Sequence, residues 1–224
     1  MKNNFLNNKI HKLICGLAVF LSVIVLIIMI NKLNVQVNKV LQWPILYYHL
    51  PLAVNTFLGC IMLAISSFMY LYTKNYKWDL RAKSFAEVGF LFCFLVLITG
   101  SIWGKLNWGV FWSWEPRLVT TLLLFIIYIV YFMLRKFSGY YERASRLAAI
   151  IGVIILVDIP IIYYSVDMWV PEVQLHPQRS IKDSDDTITW ILPLAIIAFF
   201  FVFLSLYVYR LFVEKKLHMK ELNE

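Results

Sequence analysis

Charge is scarce in this chain of 224 residues: 15% are charged, with 13 Asp and Glu against 21 Lys and Arg, while 61% are hydrophobic. A water-soluble domain runs near ~25% charged and ~45–50% apolar, so the composition excludes a single water-facing fold. Glycine and proline are also few, at eight and seven, and no linker rich in either interrupts the chain. No repeat with a period of roughly 20–50 residues occurs, and one domain covering residues 1–224 is the reading that follows. The three cysteines, Cys15, Cys60 and Cys93, lie in apolar runs. They make neither a disulfide frame nor a Cys-x-x-Cys-His haem-attachment site, and read as small buried apolar residues.

What the chain has instead is apolar length. Six runs, Leu13–Ile30, Pro44–Tyr72, Phe85–Ile102, Leu118–Leu134, Leu147–Val166 and Ile188–Tyr209, reach or approach the ~17–25 residues that a helix needs to cross a hydrocarbon core. A transmembrane barrel would show alternating segments of ~10 residues. The expected fold is therefore an all-α integral membrane protein of six transmembrane helices, with loops too short for a nucleotide-binding cassette or an extramembrane catalytic module. The first run follows Lys2, Lys9 and Lys12 as a signal peptide would, but ends in Ile30-Asn31-Lys32 without a small-residue cleavage site, so it is expected to stay as the first helix. Threading the spans with the N-terminus inside puts fifteen of the 21 Lys and Arg on one side, all but Lys32, Lys39, Lys105, Arg117, Arg179 and Lys182. The positive-inside rule then places both termini in the cytoplasm. The formal charge of +8 is thus a topology signal, and no nucleic acid is needed to explain it.

The inner loops, roughly Thr73–Ser84 and Arg135–Arg146, are short and basic. The outer side holds Asn31–Trp43, Trp103–Arg117 and Asp167–Thr187. The second of these carries Trp103, Trp108, Trp112 and Trp114, half of the eight tryptophans. Indoles settle singly at helix ends in the headgroup belt. Four of them sharing a loop with Gly104 and Gly109, which allow tight turns and close approach, read instead as an apolar shelf for a flat aromatic ligand. If the stretch is helical, Trp108 and Trp112 project from one face. Pro116 opens the fourth span, and Glu115 stands where the helix dipole favours a carboxylate, so it reads as a helix cap or as a ligand contact. Arg117 suits either Glu115 or an anionic group of a ligand. His49 and His176 fall on the same outer face and flank this loop, which makes them candidate metal ligands, whereas His11 and His218 lie in the cytoplasmic tails.

Two acidic residues fall inside spans. Glu87 is spaced to pair with Lys83 at i,i+4. Asp158 is deeper, where a bare carboxylate costs ~2.5–3.5 kcal/mol on insertion scales. It is expected to face the bundle and to bond Thr120, Thr121 or a tyrosine, with proton coupling as the alternative role.

Taken as a string, Trp108-Gly109-Val110-Phe111-Trp112-Ser113-Trp114-Glu115-Pro116-Arg117-Leu118 resembles the WWD signature, W-G-x-x-W-x-W-D-x-R-L, of haem-handling proteins in cytochrome c biogenesis. Gly100–Lys105, Tyr48–Ala53 and Pro160–Val166 are similar to the same group, and together these stretches cover about residues 44 to 180. Within the group the chain is most similar to the six-span haem exporter protein C family of the multi-subunit cytochrome c maturation pathway. Glu115 stands where the signature has Asp, Phe111 where tryptophan is frequent, and Met168–Leu175 departs from the family's spacing before His176.

The resemblance implies a site for haem b on the periplasmic face of the bacterial inner membrane. His49 and His176 would be axial ligands of the iron, with Trp103, Trp108, Trp112, Trp114 and Glu115 around the ring. Arg117 is the first choice for the propionates, followed by Arg179 and Lys105. It also implies partners: a periplasmic haem chaperone that receives the haem, the ATPase and membrane subunits of an ABC transporter, a small single-span subunit, and membrane lipid. The protein would then deliver haem rather than catalyse. Two other functions stand beside this one: a proton-coupled transporter of haem or another substrate, built on Asp158, and a complete cytochrome c haem lyase, for which the loops offer no domain to hold the apocytochrome.

Overall fold

The computed structural model describes Lys9, residues 12–17, 19–24 and 27, residues 42–168 and residues 186–221. A short apolar helix, α1 (Lys12–Ile24), is followed by five long ones: α2 (Gln42–Thr73), α3 (Tyr76–Trp108), α4 (Pro116–Phe137), α5 (Tyr141–Met168) and α6 (Asp186–Glu221). All five long helices are long and apolar enough to cross a membrane, and the chain is a multi-pass membrane protein. The expected first span, Leu13–Ile30, runs past α1 beyond the described residues. Most of the outer segments Asn31–Trp43 and Asp167–Thr187, with His176 and Arg179, lies outside them as well.

Both inner loops are shorter than expected. Asn75 caps α3 by accepting a hydrogen bond from the Lys77 amide at 3.0 Å, and the helix starts at Tyr76. Lys74, with φ 55°, turns the chain out of α2, so the link is Lys74–Asn75 rather than Thr73–Ser84. Likewise α4 continues through Phe137 and α5 begins at Tyr141, leaving only residues 138–140 of the expected Arg135–Arg146 loop. Hydropathy falls where the lysines and arginines begin, but long basic side chains carry their charge outward from a helix that continues.

By packing, residues 1–55 with 181–224 form one compact unit and residues 56–180 another. In the second unit, α4 buries Thr120, Leu124, Tyr128 and Tyr131 along one stripe, while Val119, Leu123, Ile126, Ile129, Val130 and Met133 are exposed apolar residues. The facing stripe of α3 is built from small side chains, Ala82, Ala86, Gly89 and Cys93, interleaved with Phe85 and Phe92. Small residues let helix backbones approach where lipid removes the hydrophobic drive, so packing and hydrogen bonds hold the contact. A Cβ at Gly89 would collide with the hydroxyl of Tyr128, and that hydroxyl lies 3.2 Å from the Cys60 sulfur. Phe90 of α3 stacks on Phe125 of α4 at 4.8 Å and meets Phe132 edge-on at 5.5 Å. α5 contributes a similar stripe of Ser145, Ala148, Ala149, Gly152 and Ile155.

In the first unit, Tyr47 of α2 and Leu192, Ala195 and Ala198 of α6 form a buried cluster, against which Leu21, Tyr48 and Leu50 pack. Cys15 of α1 and Ser205 of α6 approach to 2.7 Å. Proline stands inside three helices, at Pro51, Pro160 and Pro193. Each removes the amide that would bond the carbonyl four residues back. In α2 the side-chain amide of Asn55 donates to the Pro51 carbonyl at 2.8 Å.

Candidate functional site

The tryptophan-rich segment is half helix and half loop. α3 continues to Trp108 and stops because Gly109 adopts φ 77°, ψ −1°, the left-handed C-cap conformation open to glycine, with its amide bonded to the Lys105 carbonyl at 3.1 Å. The condition under which Trp108 and Trp112 would share a helical face is therefore not met: the register ends between them. The indoles pair differently. Trp103 and Trp108 lie on α3 with ring centroids 5.4 Å apart, and Trp112 meets Trp114 edge-on at 5.8 Å within the loop.

The loop folds back on the helix that leads into it. A Cβ at Gly104 would sit 3.1 Å from the Val110 carbonyl oxygen and 3.4 Å from the Trp108 ring, so the glycine admits the chain's own backbone. Lys105 Nζ donates to the Gly109 carbonyl at 2.7 Å and stands 5.4 Å from the centroid of the Phe111 ring. Asn107 donates to the Trp103 carbonyl at 2.8 Å. What the loop then presents is apolar: Phe111 is 60% and Trp114 79% exposed, with Val110 beside them.

The exit from the loop is fixed by α4. Pro116 occupies the first helical turn, and Glu115, buried, holds the N-cap position, where its carbonyl accepts the Val119 amide at 3.1 Å. Its side chain makes no capping hydrogen bond; the carboxylate still lies at the positive end of the helix. In the same first turn, Arg117 Nη2 donates to the Tyr163 carbonyl at 3.4 Å. That contact joins the signature to the Pro160–Val166 stretch of α5, where the half-exposed rings of Tyr163 and Tyr164 stand 5.1 Å apart. Neither tyrosine was singled out from the sequence. Their signal is a pair of aromatics near one end of a span.

Two buried polar atoms in the loop, Trp112 Nε1 and Ser113 Oγ, have no hydrogen-bond partner among the described residues. Buried donors are normally satisfied, and leaving one unpaired costs about 1–3 kcal/mol. Exposed aromatic faces, two donors seeking an acceptor and a guanidinium nearby fit a flat apolar ligand with acidic substituents, as haem is. Among the other expected residues, His49 sits half-buried in α2, in the other compact unit from the loop, and His176 lies outside the described residues.

The sequence profile of the family described as CcmC, heme exporter protein C, matches residues 2–224. The chain belongs to the heme exporter protein C family. It is 37% identical over 166 residues to a cytochrome c biosynthesis ccmC-like mitochondrial protein of Marchantia polymorpha, covering 73% of this chain and 69% of that one. It is 32% identical over 183 residues to the heme exporter protein C of Haemophilus influenzae, covering 80% and 72%. With the heme exporter protein C of Escherichia coli K12 it shares 34% over 128 residues, 57% of this chain and 52% of the relative. The matched stretch thus spans about half the length of that last protein. The family match takes in His49, the tryptophan-rich loop and His176.

Two acidic residues need placing apart from the loop. Asp79, in the first turn of α3 and 1% exposed, binds Arg135 of α4 through both oxygens at 2.7 and 2.8 Å, and accepts from Tyr141 at 2.7 Å and Ser145 at 3.0 Å, both on α5. Arg135 also reaches the Tyr131 hydroxyl at 3.3 Å. This node ties three helices together, and the sequence reading passed over it. Asp158 faces the bundle as expected, 3% exposed, but neither of its oxygens has a hydrogen-bond partner among the described residues. The hydroxyls of Thr120 and Thr121 are taken by carbonyls of their own helix, at Pro116 and Arg117, at 2.8 and 2.7 Å.

Proposed function

We propose that this chain handles haem b for cytochrome c maturation, holding it as cargo at the outer face of the bacterial inner membrane and presenting it to a periplasmic haem chaperone. The observation that carries the reading is the folded loop: a WWD-type signature that exposes Phe111 and Trp114 and buries the Trp112 and Ser113 donors. The names of its relatives, heme exporter protein C and cytochrome c biosynthesis protein, support the haem and the pathway. In this reading six helices cross the membrane with both termini cytoplasmic, residues 1–224 act as one domain, and the loop faces the periplasm. His49 and His176 supply axial imidazoles to the iron. Trp103 and Trp108 floor the site, Trp112 and Trp114 contact the ring, and Glu115 sets the start of α4. Arg117 meets a propionate, a role its planar fork suits. The ATPase and membrane subunits of an ABC transporter and a small single-span protein complete the assembly.

The chain's own work is to bind and orient: apolar rings exclude water from a porphyrin face while the outward edge of the loop stays open to a receiving protein. The test is the optical spectrum of the purified protein. A low-spin bis-histidine haem spectrum is expected, and it should vanish in the His49→Ala, His176→Ala double variant. Survival of the same spectrum in that variant would remove the ligand assignment. A second reading, proton-coupled transport, is favoured by the buried carboxylate of Asp158. It requires Asp158→Asn to abolish flux with haem content unchanged.

A further inference from the structure

We propose that Lys105 is a positioning residue that locks the turn of the tryptophan-rich loop and thereby fixes the aromatic tip that holds the ligand. This deepens the haem reading and rests on it for its functional half. Sequence alone ranks Lys105 among the cations for a ligand's carboxylates. The geometry gives its ammonium other work. One N–H is given to the Gly109 carbonyl at 2.7 Å, across the same turn in which the Gly109 amide bonds the Lys105 carbonyl at 3.1 Å. Residues 105 and 109 are therefore bonded twice, once through backbone and once through side chain.

The same ammonium lies 5.4 Å from the centroid of Phe111, two residues beyond the glycine. A cation over an aromatic face is attracted by the ring's quadrupole. The charge also sits at the C-terminus of a helix of 33 residues, where carbonyls point outward and a cation is favoured. Three separate attractions thus converge on one flexible side chain. Phe111 is 60% exposed, so little of its surface is packed and the cation is a contact that holds its ring. Through residues 111 and 112 the brace also sets where Trp112 enters the loop.

The experiment compares the full-length purified wild type with Lys105→Met and Lys105→Arg in detergent micelles. Amide hydrogen exchange is read without ligand, and the rate of ligand loss is read for haem and for haem dimethyl ester. Lys105→Met should speed exchange at residues 109–112 and accelerate loss of both ligands by about fivefold, the size carried by one exposed cation–π contact and a surface hydrogen bond. Lys105→Arg, which keeps a donor and a cation over the ring, should restore both readouts. Unchanged exchange in Lys105→Met overturns the proposal, as does a guanidinium that fails to rescue. So does a loss confined to haem with free carboxylates, which would make Lys105 a propionate partner after all. Faster exchange without faster ligand loss overturns the positioning role. A wild type that retains neither ligand refutes the haem reading instead, and the exchange arm then still decides the brace.

Discussion

Replacing Asp79 by asparagine keeps the shape of the side chain and removes its charge. Four donor hydrogens converge on that carboxylate, two from Arg135 and one each from Tyr141 and Ser145. An amide turned so that its oxygen serves the three donors at Oδ2 sets its own NH2 against Arg135 Nη1, donor against donor. Arg135 then holds a positive charge with its side chain 13% exposed and no countercharge at the node. Breaking a buried pair from one side costs about 3–5 kcal/mol. Since the node lies at the end of the helices, the lower figure applies, about a hundredfold in the folding equilibrium. Removing both partners, as Asp79→Leu with Arg135→Leu, should cost less than Asp79→Asn alone, because no charge is left stranded. Tyr141→Phe, losing one hydrogen bond to a charged group, should cost about 1.5 kcal/mol. Unfolding by SDS in mixed micelles, followed by circular dichroism, measures all four proteins. The reasoning is refuted if Asp79→Asn lies within about 1 kcal/mol of wild type, inside the range of an exposed ion pair, or if the double variant is less stable than Asp79→Asn.

Gly89→Ala should destabilise by about 1–3 kcal/mol, because its methyl group would run into the Tyr128 hydroxyl. Adding Tyr128→Phe should recover part of the loss, and a thermal melt showing no recovery would mean that the clash is relieved elsewhere. Trp114→Ala, at a side chain 79% exposed, should leave stability within about 0.5 kcal/mol of wild type while haem is lost several times faster. Unchanged haem retention would make this indole a lipid anchor.

Hydropathy located the five long helices because each carries a long apolar run, but it stopped short wherever charged or polar residues continue the helix. Lys77, Arg81, Arg135 and Lys136 look like loop residues by composition and are helical in fact. The same habit hid Asp79, whose one legible signal is an acid placed among bases. Pro116 was readable as the start of α4, since its ring presets the backbone for a first turn. The end of α3 was less so: a glycine between two tryptophans is compatible with a continuous helix until its left-handed conformation is known. Thr120 and Thr121 looked available to Asp158 because spacing does not reveal that a helical hydroxyl turns back to a carbonyl one turn earlier.

The Asp79 node also has a bearing on biosynthesis. Its acceptor is made first, its guanidinium 56 positions later, and its last donor, Ser145, 66 positions after Asp79. The contact is thus complete in sequence before any of α6 has left the ribosome. Three helices can be tied together at one end while the last one is still being translated, with the Asp79 carboxylate and the Arg135 guanidinium already paired.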